Sequence, residues 1–189
     1  NDKALVYDSF VTMVLKEVQE KTGLDPYNDG LTIETTIDSK AQQRLYDIVN
    51  TNDYIQYVND KIQNAVVMLD TKTGAVRAVN GGRKQTTLLG YNRATDNTRS
   101  TGSTIKPVID YGPAIEYLNY STGQTIMDQR TTYSNGVELN NWDFSHKGAM
   151  TLRTALVYSR NTTALQTFKA VGETNIKSFL NNLDIQIKN

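Results

Sequence analysis

The chain has 189 residues, one histidine and no cysteine. It is 38% hydrophobic and 21% charged, and its 20 basic residues are matched by 20 acidic ones for zero formal net charge. This ordinary globular composition is long enough for one good core, or for a domain with a smaller appended module. It excludes disulfides, a thiolate nucleophile and cysteine-ligated metal, and gives no electrostatic ground for nucleic acid or an anionic membrane surface as partner.

In chain order, Leu5, Val6, Phe10, Val11, Val14, Leu15 and Val18 recur at helical spacing, and Gly23 follows as a stop; this predicts an amphipathic helix over 5–18. Residues 31–37 alternate and are rich in β-branched side chains, which predicts a strand. Asp38 is placed to cap a second helix running to about Ile48. The polar, tyrosine-bearing run 50–59 closes a first module, 1–58, and the rest, 59–189, forms a second. Ala65-Val-Val-Met-Leu69 and Ala75-Val-Arg-Ala-Val79, joined across Lys72-Thr73-Gly74, predict a hairpin. The aliphatic half of that hairpin is also the longest such run in the chain, far short of a membrane span. Residues 83–99 read as an irregular loop. A helix follows from about Ser103, with a kink expected at Gly112-Pro113. The Thr-, Asn- and Gly-rich region 121–148 predicts a long excursion with little regular structure. Helices are predicted over 150–158, 162–171 and 174–183. The chain opens on Asn1 without a signal peptide, and we read it as a piece of a longer protein.

The chemistry centres on Arg99-Ser-Thr-Gly-Ser-Thr-Ile-Lys-Pro107. A serine hydroxyl needs an adjacent base to act as a nucleophile, and Lys106, three residues after Ser103, shares its helical face. Pro107 is tolerated only near a helix start, so the helix begins close to Ser103 and presents that residue's backbone N–H to a developing oxyanion. Gly102 lets the backbone turn beside it. Nine serines and twelve lysines produce roughly 0.6 such tetrads by chance, so the spacing alone assigns nothing. A helix cap followed by an exposed lysine reads the same way. Ser159-Arg-Asn161, between two predicted helices, offers a hydroxyl to relay a proton and an amide to hold a carbonyl. His146 lies in the polar run 143–148 and reads as a loop residue rather than a triad base.

Taken together and in order, these pieces resemble the serine acyltransferases of the penicillin-binding protein and class A β-lactamase superfamily, whose signatures are Ser-x-x-Lys, Ser-x-Asn and Lys-Thr-Gly. The likeness is to class A penicillin-binding proteins of Gram-positive type. It rests on the Ser103 and Ser159 motifs, Tyr111-Gly-Pro-Ala114, Asn141-Trp-Asp143, Gly30-Leu-Thr-Ile-Glu-Thr-Thr-Ile-Asp38 and Asp70-Thr-Lys-Thr-Gly-Ala75. The resemblance implies an α+β transpeptidase-like fold, an antiparallel sheet flanked by helices, incomplete in this chain and preceded over 1–58 by a small α/β linker module. It implies Ser103 as nucleophile, Lys106 as its base, Ser159 and Asn161 as second-motif residues, and Gly102, Asn141 and Trp142 as substrate-cleft residues.

The implied reaction is D,D-transpeptidation of peptidoglycan stem peptides ending in D-Ala-D-Ala, with β-lactams as covalent inhibitors, no cofactor and no metal. The location implied is the extracellular face of the cell membrane, with the anchor upstream. A β-lactamase-type hydrolase and a penicillin-sensing receptor remain alternatives, as does a non-catalytic scaffold. One departure matters. Lys72-Thr73-Gly74 precedes the nucleophile, whereas the third motif of the family follows Ser-x-Asn, so it reads as a hairpin turn and the true third motif is expected from a C-terminal segment or a companion chain.

Overall fold

The computed structural model describes residues 2–186, and the chain divides into two compact units between Arg99 and Ser100. In the first unit, α1 (Asp2–Thr22) ends where Gly23 takes φ +71 and donates its N–H to the Gln19 carbonyl at 2.9 Å. Asp38 caps α2 (Ser39–Asn50), its Oδ1 accepting from the N–H groups of Lys40 and Ala41 at 2.9 and 3.0 Å. Strands β1 (Val66–Leu69) and β2 (Val76–Asn80) pair antiparallel, with the register slipping between Met68 and Leu69.

The turn between these strands has a local cause. Asp70 Oδ1 accepts from the N–H groups of Lys72 and Thr73, and Gly74 reverses the chain at φ +72. Those donors, with Arg77, hold the Asp70 carboxyl down to about 2. Lys72-Thr73-Gly74 is thus a solvated turn.

Residues 31–37 do not form the expected strand. Their main-chain link to β2 is Asp38 N–H to the Arg77 carbonyl at 2.8 Å, supplemented by Thr36 Oγ1 to the Val76 carbonyl and Arg77 Nη1 to the Thr36 carbonyl. The run meets only the opening of β2, too little for a ladder to propagate.

Gln42, 1% exposed, joins three elements. Its Nε2 donates to the carbonyls of Val6 and Val79 at 2.7 and 2.8 Å, and its Oε1 accepts from Val79 N–H at 2.8 Å. The buried Val6, Phe10, Val49, Ala78 and Val79 surround it with the apolar core of this unit.

The compact division falls well beyond the composition boundary at 58/59, and the bonds of Gln42 and Arg83 both cross that boundary. The buried guanidinium of Arg83 donates to the carbonyls of Val49, Asn59 and Ile62 and stacks 3.5 Å from the Tyr57 ring. A residue that follows the hairpin therefore holds the segment that precedes it.

The second unit is organised on a continuous helical rod that changes pitch: a 3-10 turn (Gly102–Ile105), a π-turn (Pro107–Tyr111) and α3 (Gly112–Leu118). Pro113 cannot donate an N–H, and the expected kink becomes a π-turn in which Gly112 N–H bonds the Pro107 carbonyl. A Cβ on Gly112 would sit 2.6 Å from that carbonyl oxygen and 2.9 Å from Phe179 Cζ.

The 121–148 region is ordered, contrary to expectation. Strand β3 (Thr125–Asp128) pairs with β6 (Gly148–Thr151), and the shorter β4 (Thr131–Thr132) pairs with β5 (Glu138–Leu139) in between. Strands of two to four residues carry too little alternation to be read from sequence. Helices α4 (Leu152–Val157), α5 (Asn161–Val171) and α6 (Glu173–Asn181) follow. Tyr111, Leu152, Ala155 and Ala164 form one core beside the rod, and Ala114, Val171, Ile176 and Leu180 another. Helices combined with antiparallel strands make an α+β fold, with every sheet among the described residues two-stranded. Val66, Val67, Met68 and Leu69 of β1 are all exposed, a four-residue aliphatic edge of the kind proteins ordinarily cover.

Gln42→Ala should strand the Val79 N–H and lower the stability of the first unit by about 2–4 kcal/mol, read from the urea midpoint. Gln42→Glu, unable to donate to both carbonyls, should be no better.

Candidate active site

Ser103 and Lys106 stand at the two ends of one 3-10 step, where i and i+3 side chains eclipse more closely than in an α-helix. Ser103 is exposed and Lys106 buried, and both line a cavity of about 700 Å³ with Gly102, Asp110, Leu139 and Asn161. Gly102 sits at φ +54 with open space where a Cβ would be, so its dihedral rather than crowding calls for glycine.

Lys106 Nζ makes three contacts, and they bring the two serine motifs together. It donates to the Ser159 carbonyl at 2.8 Å and to Asn161 Oδ1 at 2.7 Å, and lies 3.1 Å from Ser159 Oγ. The ammonium form fills this site with three donors. The neutral amine keeps two donors for the two carbonyl oxygens and frees its lone pair for a hydroxyl proton. Burial is the main influence lowering the Lys106 pKa, the Arg160 charge adds to it, and Asp110 opposes it.

The Ser159 turn has its own local logic. Ser159 N–H bonds the Leu156 carbonyl and Arg160 N–H bonds the Ala155 carbonyl, both at 2.9 Å. These are the paired bonds of a Schellman ending to α4, with Ser159 at φ +49 where glycine is usual. A serine accepts that backbone cost and in return places a hydroxyl and its own carbonyl on Lys106.

Beneath this turn lies a buried polar network. Asp128, 1% exposed, accepts from Arg160 Nε at 2.8 Å, Asn141 Nδ2 at 2.8 Å, Lys147 N–H at 2.9 Å and Thr162 Oγ1. Burial works to raise its pKa, but the four donors outweigh that and the net direction is down. Arg160 Nη1 also grips both oxygens of Asp143 at 3.0 Å, and its Nη2 donates to the Ser145 carbonyl. Chiefly through that Arg160 contact, the Asp143 carboxyl is held well below the usual carboxylate range.

Asn141 does not line the cleft as expected. It is 1% exposed, and its Oδ1 accepts from the Asn161 and Thr162 N–H groups, closing the start of α5. It acts on the site by fixing Asn161, whose Nδ2 also bonds the Asn140 carbonyl at 2.9 Å. Trp142 is 67% exposed, donates Nε1 to the Tyr158 carbonyl at 3.0 Å, and borders a separate cavity of about 560 Å³ with Lys147, Tyr158 and Arg160. His146 is an exposed loop residue 3.8 Å from Asp128 and is not among the residues lining the cavity of Ser103 and Lys106. Sequence reading missed Asp128, Asp143 and the role of Arg160. The last two sit inside quoted motifs, whereas Asp128 is a lone acid in an unpatterned run and carried no signal.

Comparison with known proteins identifies the family. A family model described as the penicillin binding protein transpeptidase domain matches residues 64–188. Penicillin-binding protein 1A/1B of Bacillus subtilis (strain 168) is 44% identical over 179 residues, covering 95% of this chain and 19% of that protein. Penicillin-binding protein 1A of Streptococcus pneumoniae (strain ATCC BAA-255 / R6) is 38% identical over 182 residues, covering 94% and 25%. Among solved structures, the penicillin-binding protein PonA1 from Mycobacterium tuberculosis is similar with a TM-score of 0.71 at 24% identity, covering 95% of this chain and 44% of that one. The chain thus spans a quarter or less of the length of these two curated relatives.

Asp128→Ala should leave Arg160 with Asp143 alone and strand the buried donors of Asn141 and Thr162, costing about 3–5 kcal/mol, measured by denaturant unfolding. A loss below about 1 kcal/mol would show that the network does not carry the Ser159 turn.

Proposed function

Since this chain belongs to the transpeptidase-domain family of penicillin-binding proteins, we propose that it carries the nucleophile, base and proton relay of a serine D,D-transpeptidase that cross-links peptidoglycan. The observation that carries the reading is Lys106 Nζ held between Ser159 and Asn161 in the cavity that Ser103 lines.

In this reading a stem peptide ending in D-Ala-D-Ala enters the cavity. Ser103 Oγ attacks the penultimate D-Ala carbonyl carbon while its proton passes to neutral Lys106. The Ser103 N–H, in a first turn where backbone donors have no helical partner, supports the oxyanion. As the C–N bond breaks, the proton moves from Lys106 through Ser159 Oγ to the leaving D-Ala nitrogen, and the Asn161 amide holds the lysine and the acyl chain. An amine from a neighbouring strand then attacks the ester, returning its proton along the same path and restoring Ser103. A β-lactam presents a ring-strained amide in place of that peptide bond, and because the nitrogen released stays tethered to the acyl group the reaction stops at the ester.

The terminal carboxylate of the substrate needs a cationic or hydroxyl site, and no Lys-Thr-Gly or Lys-Ser-Gly follows Ser159 in these 189 residues. We assign that third element to sequence outside them, in a C-terminal segment or companion chain, and assign 1–58 to an interdomain linker. No described helix is long and apolar enough to cross a membrane. The outer face of the membrane is proposed as the working location because the substrate is cell wall. Exposed Trp142 is proposed as a residue at the approach to the site rather than on its floor.

Ser103→Ala should abolish labelling of the protein by a fluorescent penicillin, and retained labelling would overturn the nucleophile assignment. Lys106→Arg keeps the charge and cannot deprotonate. If Lys106 is the base, this variant loses about a hundredfold or more in acylation, and the parent rate rises with pH through a midpoint below that of free lysine. Ser159→Gly suits the backbone of its turn and should still lose acylation, which separates chemistry from folding. Label persisting for hours fits a transpeptidase, and release within seconds fits a hydrolase.

Lys72→Ala, by contrast, should leave acylation within about threefold of the parent, because an exposed turn lysine contributes little beyond its own contacts. A hundredfold loss would show that Lys72-Thr73-Gly74 acts as a catalytic motif.

A further inference from the structure

One buried charge in the site has no part in the mechanism above. Asp110 lies one turn after Lys106 on the rod, is 5% exposed, and lines the same cavity as Ser103 and Lys106. Among the described residues it has no hydrogen-bond or ion-pair partner. Its carboxylate oxygens open onto the cavity rather than being sealed in without donors, and a carboxylate held by no side chain and facing a reactive cleft is a candidate for a role there.

The surrounding charges narrow that role. All three contacts of Lys106 Nζ are with neutral oxygens, so none of them balances its charge. The groups whose charge acts on Lys106 are Asp110, which favours the ammonium, and Arg160, which opposes it. The other groups on elements packed against the rod are engaged elsewhere or turned outward. Lys169 of α5 lines the cavity but donates to the Thr132 carbonyl at 2.6 Å, Glu173 and Lys177 of α6 pair with each other, and Glu116 of α3 is exposed. Arg160 is committed to Asp128 and Asp143. Tyr111, next to Asp110, is bonded to Thr163 Oγ1 at 3.0 Å.

We propose that Asp110 is a positioning residue that sets the protonation state of Lys106: ionised, it holds the ε-amino group as ammonium, and protonated, it lets that group become the free base that takes the Ser103 proton. The proposal rests on the reading of Lys106 as base. Lys106 and Asp110 then hold one proton between them in the neutral range, as ammonium with carboxylate or as amine with carboxylic acid, and the second arrangement is the one competent for attack. Burial, only partly countered by Lys106, pushes the Asp110 carboxyl up to about 7, which is where such an exchange operates. As the medium becomes more acidic, Asp110 takes up a proton and its hold on the ammonium is released, whereas above its midpoint the carboxylate keeps Lys106 charged. A hydrophobic residue at 110 would leave the base unregulated. A fully ionised acid there would keep it charged.

The test compares the purified parent with Asp110→Asn and Asp110→Glu between pH 5 and 9. Penicillin acylation rates are measured, and competitive acetic anhydride labelling of Lys106, read by peptide mass spectrometry, reports its protonation without relying on catalysis. Asp110→Asn removes the charge that favours the ammonium above the Asp110 midpoint, so the Lys106 reactivity midpoint should fall and its labelling near pH 8 should rise about threefold or more. Acylation near pH 8 should rise in parallel, and Asp110→Glu should return both profiles toward the parent. A reactivity midpoint that stays put or moves upward in a folded Asp110→Asn protein overturns the proposal. If the reactivity shifts and acylation does not follow, the charge coupling stands and the assignment of Lys106 as base falls.

Discussion

The contact on which the second unit depends is the buried ion pair between Asp128 and Arg160, whose side chains are almost wholly removed from solvent. Burying two charges is costly unless every remaining donor and acceptor is used, and here they are used fully. Asp128 collects hydrogen bonds from Asn141, Thr162 and Lys147, and Arg160 collects Asp143 and the Ser145 carbonyl. Hydrophobic packing could hold α4 and α5 together without these groups. It would not fix the left-handed backbone of Ser159, and that backbone decides where the Ser159 carbonyl and hydroxyl meet Lys106. The ion pair serves geometry more than stability.

The second constraint is the pitch of the rod. A 3-10 turn brings Ser103 and Lys106 into line, a π-turn takes up the missing donor of Pro113, and an α-helix then packs Ala114 into the core. Asp110 and Tyr111 fall on the widened turn, so the rod carries cavity-lining and packing residues at successive turns. Gly112 is essential because the carbonyl of Pro107 and the ring of Phe179 occupy the space a side chain would need.

The first unit follows a different principle. Its core is small, and single polar side chains join its pieces: Gln42 ties both helices to β2, and Arg83 pins the end of α2 and the irregular run 51–62 that follows it. This explains why composition suggests a boundary near residue 58 while compactness places one after Arg99. Composition changes where regular structure stops, but the hydrogen bonds of Arg83 cross that point.

The sequence by itself determined the long helices, the cap at Asp38, the Asp70 turn and the serine motifs, because each rests on residues close together in the chain. Periodicity, Asx turns and i,i+3 spacing are local, and Ser103 with Lys106 was legible for that reason. Only the tertiary structure decided that residues 31–37 lack a ladder, that 121–148 folds into nested hairpins, and that Asn141 supports the site from beneath. These outcomes depend on partners tens of residues away. Asp128 illustrates the limit: nothing near it in sequence distinguishes it from the other acids, and its importance comes from Asn141, Arg160 and Thr162 converging on it in space.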